Sequence, residues 1–163
     1  MAEKKDFPVF RVGIVTLSDK GYQGEREDKS GPKIKELLPM RLLPDERAMI
    51  EEELIRLSDL ERCDLVLTTG GTGFSLRDVT PEATLAVSNR VAPGIAEAIR
   101  AGSMAITKRA MLSRAVSAIR HRTLIINLPG SPKAVEESLG FVLDTLPHAL
   151  GLLRGTDGEC GRS

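Results

Sequence analysis

The chain is poor in aromatic residues and has no excess of charge of either sign. Its 163 residues include four phenylalanines, one tyrosine and no tryptophan, and 23 Lys and Arg residues balance 23 Asp and Glu residues. A surface that stacks single-stranded nucleic acid needs more rings than these. A protein that attracts nucleic acid through its overall field needs a positive net charge. We therefore expect no nucleic-acid partner.

Cysteine and long apolar runs are also scarce. Cys63 and Cys160 are the only two cysteines, which is too few for a disulfide framework or a zinc cluster. No apolar run approaches the roughly 18 residues of a membrane span, and no apolar segment follows the charged start of the chain. We expect a cytoplasmic protein with no membrane partner, in which Cys63 is a small buried hydrophobe.

Three apolar stretches predict buried parallel strands, at 9–17, 64–69 and 123–128. Each is rich in Val, Ile and Leu without a clean alternation, which is typical of strands covered on both faces. Helical patterns lie between them, so the predicted fold is α/β, a three-layer α/β/α domain with a mostly parallel central sheet. We expect a single domain over residues 1–163, with 1–8 and 156–163 as flexible ends.

Four helices are predicted from periodicity and from capping residues. Residues 46–60 have apolar positions at helical spacing. Thr80-Pro81-Glu82 has the composition of a helix start, with a hydroxyl N-cap, a proline in the first turn and an acid near the positive end of the dipole. Pro93-Gly94 precedes a helix over 95–104, and Ser131-Pro132 repeats the cap before a helix that runs to about residue 146.

Polar side chains follow the first predicted strand, where ligands bind in sheets of this kind. Ser18 and Asp19 come directly after it. A hydroxyl and a carboxylate at this point either hydrogen-bond a polar ligand or form a turn that Asp19 caps.

A glycine-rich turn follows the second predicted strand. The run Thr69-Gly70-Gly71-Thr72-Gly73 allows backbone N–H groups to approach a ligand closely, as phosphate-binding turns do. It is neither a Walker loop nor the Gly-x-Gly-x-x-Gly dinucleotide fingerprint. We interpret it as a candidate anion site.

Two aspartates stand at predicted junctions between strands and helices. Asp78 precedes the helix that begins near Thr80, and Asp45 precedes the helix over 46–60. Each either caps its helix or helps to hold Mg²⁺, which prefers one or two carboxylates together with phosphate oxygens. The two carboxylates can share one metal ion if their strands are neighbours in the sheet.

A second candidate anion site follows the third predicted strand. Asn127, Pro129, Gly130, Ser131 and Lys133 form a tight turn that leads into a helix N-terminus with a hydroxyl and a lysine nearby. Such an N-terminus favours anions. With the glycine-rich turn at the same edge of the sheet, the sequence favours a ligand with more than one phosphate.

Together these segments resemble the molybdopterin adenylyltransferase family, the Mog branch of the molybdenum-cofactor-binding fold. The likeness runs from about Val12 to Leu153. Its motifs, in the family's order, are Ser18-Asp19, 43–46 (Leu-Pro-Asp-Glu), 68–73 (Thr-Thr-Gly-Gly-Thr-Gly), 77–84 (Arg-Asp-Val-Thr-Pro-Glu-Ala-Thr), Pro93-Gly94, 112–114 (Leu-Ser-Arg) and 127–132 (Asn-Leu-Pro-Gly-Ser-Pro).

The resemblance implies transfer of an adenylyl group from Mg-ATP to the terminal phosphate of molybdopterin, with release of pyrophosphate. It implies that Asp45 and Asp78 are the catalytic residues and hold Mg²⁺, while the glycine-rich turn cradles phosphate. The implied substrate-binding residues are Ser18, Asp19, Thr69, Gly70, Gly71, Thr72, Gly73, Ser113, Asn127, Pro129, Gly130, Ser131 and Lys133. It also implies a homotrimer, with a possible contact to the downstream molybdate-inserting enzyme.

Three alternatives to an enzyme stay open at this point: a non-catalytic molybdopterin-binding scaffold, a nucleotide-binding regulatory domain and a purely structural α/β domain. One departure from the family pattern concerns the chain before Pro44. Residues 31–38 run into Pro39 with fewer residues than family members have there, which indicates either a trimmed edge or an omitted loop. Ser113-Arg114 either contacts a ligand or pairs across a subunit interface.

Overall fold

The structure is a computed structural model that describes residues 10–19 and 40–156. In these residues it has six strands: β1 Val12–Leu17, β2 Met40–Leu43, β3 Leu65–Thr69, β4 Arg90–Val91, β5 Ser117–Arg120 and β6 Thr123–Leu128. Residues 31–38 and the segment at Pro39 lie outside the described residues, as do residues 1–8, Cys160 and most of the predicted C-terminal tail.

Five α-helices accompany the strands in the described ranges: α1 Arg47–Ile55, α2 Thr80–Val87, α3 Pro93–Ile106, α4 Pro132–Val142 and α5 Leu146–Arg154. A π-helical turn, Arg56–Leu60, continues α1, and a 3₁₀ turn, Lys108–Leu112, follows α3. The four predicted helical segments are therefore all present. The last of them ends earlier than expected, because the chain turns after Val142 and starts α5 at Leu146.

The strands form one sheet in the order β2-β1-β3-β6-β5-β4. The pairs β1–β2, β1–β3 and β3–β6 are parallel, whereas β5 pairs antiparallel with both β6 and β4. The mostly parallel sheet is confirmed. The strands β5 and β4 at this end of the sheet were not predicted, because four-residue and two-residue strands give too short a pattern to detect.

The sheet separates two apolar layers, and successive residues of the central strands point into opposite ones. Ile14 and Leu67 pack with side chains of α3, α4 and α5, such as Ile99 and Val135. Val15, Val66 and Ile125 pack with α1 and α2, and Cys63 lies in that second layer. This explains why the strands read as continuous apolar runs, and it confirms Cys63 as a buried hydrophobe. No described helix is both long and apolar enough to span a bilayer.

Candidate active site

Four strands end together at one edge of the sheet, and the predicted site residues follow those ends. Leu17 pairs with Leu43, Thr16 with Thr69, and Thr69 with Leu128. The four parallel strands thus finish within one residue of each other. The loops that leave them start side by side.

The glycine-rich turn depends on two consecutive left-handed residues. Gly70 has φ +92° and Gly71 has φ +66°, a region that glycine enters without steric cost. A Cβ on Gly70 would lie 2.4 Å from the carbonyl oxygen of Leu17, and one on Gly71 would lie 2.2 Å from Thr80 Oγ1. The turn therefore crosses over the end of β1 at a distance that only glycine allows.

Thr80 holds this turn instead of capping α2 as predicted. Its hydroxyl donates to the carbonyl oxygen of Gly70 at 3.0 Å, and its N–H donates to the carbonyl oxygen of Gly71 at 3.1 Å. The N-cap position of α2 is Val79, with no side-chain cap. Thr80 is buried, so its hydroxyl bonds to the nearest carbonyl oxygen, which belongs to the turn.

Asp45 and Asp19 hold the ends of β1 and β2 together. The N–H of Asp45 donates to Asp19 Oδ1 at 2.9 Å, and the N–H of Asp19 donates to Asp45 Oδ2 at 3.2 Å. The alternative in which Asp45 caps α1 does not hold, because Glu46 is the N-cap residue and provides no side-chain bond. The Asp19 carboxylate bonds Asp45, 26 residues away, and its ligand role stays a prediction.

Asp45 carries a buried oxygen without a partner. Its Oδ1 accepts no hydrogen bond from any described residue, and a Cβ on Gly71 would approach that oxygen to 3.0 Å. Burial raises the pKa of Asp45 above the ordinary value, and the nearby Asp19 and Asp78 carboxylates raise it further. A cation at this point would relieve both effects.

The sequence predicts that Asp45 and Asp78 can share a metal ion if their strands are neighbours, and this condition is not met. Their strands, β2 and β3, are not neighbours, because β1 lies between them. The loop after β3 nevertheless crosses β1, and the Asp78 carboxylate is close enough to raise the pKa of Asp45. Within 10–19 and 40–156, no group of three or more His, Cys, Asp or Glu side chains is placed to hold a metal ion.

Arg77 binds the acidic residues that flank Asp45. Its guanidinium donates to both carboxylate oxygens of Asp19 at 2.9 Å, and to Glu46 Oε1 at 2.8 Å. The hydrogen bond from Arg77, followed by that from the Asp45 N–H, lowers the pKa of Asp19. Asp19, Asp45 and Asp78, with Arg77, form what we call the acidic cluster.

Arg114 fixes the loop that carries Asp78. Its N–H donates to the carbonyl oxygen of Thr72, and its guanidinium donates to the carbonyl oxygens of Gly73 at 2.7 Å and Asp78 at 2.6 Å. It also donates to Glu82 on α2. The described contacts of Arg114 are thus bonds within its own chain, and its role toward a ligand or a subunit interface stays a prediction. The sequence contains no signal for this role, because the partners are backbone oxygens from 36 to 41 residues earlier.

A pocket of about 310 Å³ lies on the other side of the glycine-rich turn, between α3, the 3₁₀ turn and α4. Five of the predicted substrate-binding residues line it: Thr72, Gly73, Ser113, Asn127 and Pro129. Arg100 and Arg109, which sequence reasoning missed, also line it. Gly73 belongs to both regions, since a Cβ on it would lie 2.9 Å from Asp78 Oδ2. The acidic cluster and the pocket therefore meet at this residue.

Three of the predicted residues on the β6 side already have partners within the protein. The amide nitrogen of Asn127 donates to the hydroxyls of Thr68 and Thr84, at 3.0 and 2.9 Å. Ser131 caps α4 as predicted, accepting from the N–H of Ala134. Lys133 is exposed and lies 3.8 Å from Glu137. Asn127 thus lines the pocket, whereas Ser131 and Lys133 are not among its lining residues.

The hydroxyl groups of Thr69 and Ser113, two further predicted site residues, differ in their hydrogen bonding. The Thr69 hydroxyl is buried with no partner among the described residues. The Ser113 hydroxyl accepts from the N–H of Ala115 at 3.3 Å, and the Ser113 carbonyl oxygen accepts from Arg100. Gly130 and Ser18 are also bonded within the chain.

A three-layer α/β/α fold with a glycine-rich turn, an acidic cluster and a pocket at one edge of its sheet is typical of α/β proteins that bind small ligands. Residues 13–148 match the family described as a probable molybdopterin binding domain. The chain belongs to this family.

Relatives in that family are similar along most of their length. A molybdopterin adenylyltransferase of Helicobacter pylori strain J99 is 43% identical over 154 residues, covering 88% of both chains. The molybdopterin adenylyltransferase of Escherichia coli K12 is 42% identical over 167 residues, covering 89% of this chain and 86% of its own. The crystal structure of the molybdopterin biosynthesis enzyme MoaB from Thermus thermophilus matches with a TM-score of 0.84 and 50% identity, covering 90% of this chain and 98% of that one.

The alignment with the E. coli protein bears on the short stretch before Pro44. It extends over 167 positions although this chain has 163 residues, so that relative has residues which this chain lacks. The position of the missing residues before Pro44 stays a prediction, because residues 20–39 lie outside the described part of the chain.

Proposed function

We propose that this protein is a molybdopterin adenylyltransferase in molybdenum cofactor biosynthesis. It transfers the adenylyl group of ATP to the terminal phosphate of molybdopterin and releases pyrophosphate. The observation that carries the proposal is the continuity of the acidic cluster, the glycine-rich turn and the pocket at Gly73. A metal-bound nucleotide and a second anionic substrate can then meet at one point. Relatives named for this activity support it.

Two anions must approach each other in this reaction, so repulsion between phosphates is the main barrier. The oxygen of a molybdopterin phosphate forms a bond to the α-phosphorus of ATP, and the bond from that phosphorus to the bridging oxygen breaks. Pyrophosphate leaves with the electron pair. A site that aligns both phosphates lowers the barrier mainly through orientation and charge stabilisation, and no protein nucleophile is needed.

Asp45 and Asp78 are the residues that would hold Mg²⁺, and the unpartnered Asp45 Oδ1 fits a cation. Mg²⁺ supplies charge neutralisation of the phosphates when bound with ATP. Two carboxylates suffice, because Mg²⁺ takes its other ligands from phosphate oxygens and water. Ser18, Asp19 and the turn 69–73 would bind the nucleotide.

The pocket would take molybdopterin. In this proposal its lining residues Ser113, Asn127 and Pro129 contact the pterin and its phosphate, together with Gly130, Ser131 and Lys133 of the segment that follows Pro129. Arg100 and Arg109 outnumber the one acidic lining residue, Glu137, and this positive balance suits an anionic substrate. Their guanidinium groups extend the set that the sequence suggested.

The same proposal includes a cytoplasmic homotrimer that passes its product to a molybdate-inserting enzyme. Large apolar side chains near the site are exposed, such as Phe74, Leu76 and Met111. An interface between copies would cover such side chains. Sedimentation equilibrium should give three times the chain mass, and a monomer at micromolar concentration would contradict this part alone.

The test of the function is pyrophosphate release from Mg-ATP, with and without molybdopterin. We expect release only when both substrates are present, and a loss of at least about 100-fold in Asp78→Ala, which removes charge from the reacting centre. Asp144→Asn, at an exposed position in the turn before α5, is the matched control and should keep the wild-type rate. Wild-type turnover in Asp78→Ala would refute the assignment of Asp78.

A non-catalytic scaffold predicts a different result in the same assay. It would bind molybdopterin and release no pyrophosphate under any condition. Molybdopterin binding without turnover in the wild-type chain would therefore replace the enzyme by the scaffold. ATP binding without molybdopterin binding would indicate the nucleotide-binding regulatory domain.

A further inference from the structure

A second cavity lies at the opposite edge of the sheet from the proposed active site. It measures about 530 Å³ and is lined by the π-helical turn after α1, the start of β3, and the hairpin between β5 and β6. The five-residue strand β3 separates the two edges by roughly 16 Å. The cavity contains none of the residues assigned to adenylyl transfer.

The acidic side chains of this cavity are already neutralised. The Asp59 carboxylate accepts hydrogen bonds from Nε and Nη2 of Arg120, at 2.9 and 2.5 Å. The Asp64 carboxylate accepts hydrogen bonds from Nε and Nη2 of Arg154, each at 2.6 Å. These bidentate pairs are strong charge-assisted contacts. Neither carboxylate is therefore available to a cation, and neither cancels the remaining positive charge.

Two guanidinium groups in the wall have no such counter-charge. Arg62 and Arg122 both line the cavity, and neither forms a hydrogen bond or an ion pair with any residue in 10–19 or 40–156. Asp59 is paired with Arg120, and Asp64 is paired with Arg154. The net positive charge of the cavity wall therefore comes from Arg62 and Arg122. His121, exposed beside them in the hairpin turn, adds a further polar ring.

A buried hydroxyl also lacks a partner at this cavity. Ser58 is 8% exposed, its Oγ has no hydrogen-bond partner among the described residues, and it lines the same cavity. An unsatisfied buried hydroxyl costs free energy unless a ligand or water completes it. Ser58 lies in the π-helical turn Arg56–Leu60, a rare conformation that often occurs at functional sites.

We propose that this cavity is a second, non-catalytic anion site that takes a phosphate group, with Arg62, Arg122 and Ser58 as its ligands. Guanidinium groups match the geometry of phosphate oxygens, and a hydroxyl donates to the same group. The cavity is wider than inorganic phosphate requires. A phosphomonoester therefore fits the same chemistry, and the experiment separates the two sources.

The test is a titration of the isotopically labelled full chain with inorganic phosphate, followed by amide NMR at constant ionic strength. We expect saturable shifts at Ser58, Arg62, His121 and Arg122. In the Arg62→Gln/Arg122→Gln variant we expect binding at least about tenfold weaker, which is about 1.4 kcal/mol, because two charge-assisted hydrogen-bond donors are lost. Arg90→Gln is the matched control, because Arg90 is exposed and lies outside the cavity.

A parallel titration with glycerol 3-phosphate identifies the source of the phosphate group. Tighter binding of the ester assigns the site to phosphorylated metabolites, and equal or weaker binding assigns it to free phosphate. Shifts confined to the turn 70–73, or the same affinity in the double variant as in wild type, would overturn the proposal. So would shifts that chloride reproduces at the same concentration.

The proposal is independent of adenylyl transfer. The double variant should keep its thermal midpoint and its pyrophosphate release, whereas Asp78→Ala should keep the phosphate shifts at Arg62 and Arg122. A failure of one assay therefore leaves the other result intact. Loss of folding in the double variant would be detected by its thermal midpoint, and Arg122→Gln alone then serves as the test variant.

Discussion

The carboxylate of Asp45 is stabilised less by its surroundings than the carboxylate of Asp19. Its Oδ2 accepts one N–H, while Oδ1 is buried and unpartnered among the described residues. Asp19, by contrast, is bonded by Arg77 and by the Asp45 N–H, which lower its pKa. A raised pKa together with an unpartnered buried oxygen is typical of a functional site that a ligand completes.

Replacing Asp45 by Asn should separate stability from turnover. The asparagine keeps an oxygen for the Asp19 N–H and removes the buried charge, so we expect unfolding at an equal or higher temperature at pH 7. The pKa of Asp45 is raised in the folded state, so its ionisation destabilises the wild type increasingly as pH rises through that value. The advantage of Asp45→Asn should therefore vanish at acid pH.

Thermal unfolding at several pH values and pyrophosphate release together check this prediction. Turnover should fall at least about 100-fold, and Asp144→Asn should change neither quantity. A variant that is both less stable at pH 7 and fully active would contradict the role given to Asp45.

The glycine-rich turn acts as one element that joins the two halves of the site. Gly70 N–H donates to the carbonyl oxygen of Leu128 on β6, while Thr80 and Arg114 hold the turn and its loop from α2 and from the segment before β5. The turn is therefore fixed from three sides. Its backbone conformation should be rigid without a ligand, which preorganises it for phosphate.

Gly70→Ala should disrupt this element. The new Cβ would lie 2.4 Å from the Leu17 carbonyl oxygen at a left-handed φ, so both steric contact and backbone strain oppose it. We expect a loss of more than about 2 kcal/mol in the free energy of unfolding and a loss of turnover.

The matched control is Gly140→Ala. Nothing lies within 4 Å of a Cβ there, in helix α4. Alanine in a helix interior should increase the free energy of unfolding by about 0.5–1 kcal/mol. Urea unfolding of both variants measures the difference, and an equal effect of the two substitutions would contradict the role of the turn.

At the scale of the whole molecule, several carboxylates join distant parts of the chain through arginines. Their pKa values lie below the ordinary range in Asp19, Glu53, Asp59, Asp64 and Glu82. Asp64 illustrates the pattern: burial opposes its ionisation, but Arg154 and the Arg11 N–H outweigh this. It ties the start of β3 to the end of α5, 90 residues later.

These lowered pKa values predict acid unfolding. A carboxyl with a lowered folded pKa stabilises the fold above its unfolded pKa, and that stability is lost as pH falls through the folded value. The free energy of unfolding should therefore decline below about pH 4. Asp64→Asn should cost about 1–3 kcal/mol at pH 7, and the difference from wild type should shrink as the pH falls.

Denaturant unfolding between pH 2.5 and 7 measures both effects, with Asp144→Asn as the control. A difference between Asp64→Asn and wild type that stays constant below pH 4 would show that the Asp64 carboxylate is not ionised with a lowered pKa in the folded state.

The parallel strands, the starts of most helices and the segments that build the candidate site could be predicted from the sequence. Local patterns of apolar residues, prolines and glycines specify these features, because they depend on neighbours within a few residues. Ser131 as the cap of α4 and the glycine-rich turn at the end of β3 are examples.

Which polar groups come into contact could not be predicted from the sequence and depends on the folded chain. Thr80 bonds the glycine-rich turn instead of capping α2, Arg114 fixes the Asp78 loop, and β1 separates the strands of Asp45 and Asp78. The second cavity likewise joins Ser58, Arg62 and Arg122 from segments up to 64 residues apart in the sequence. These contacts depend on long-range packing and on backbone atoms, which leave no periodic or compositional signal in one sequence.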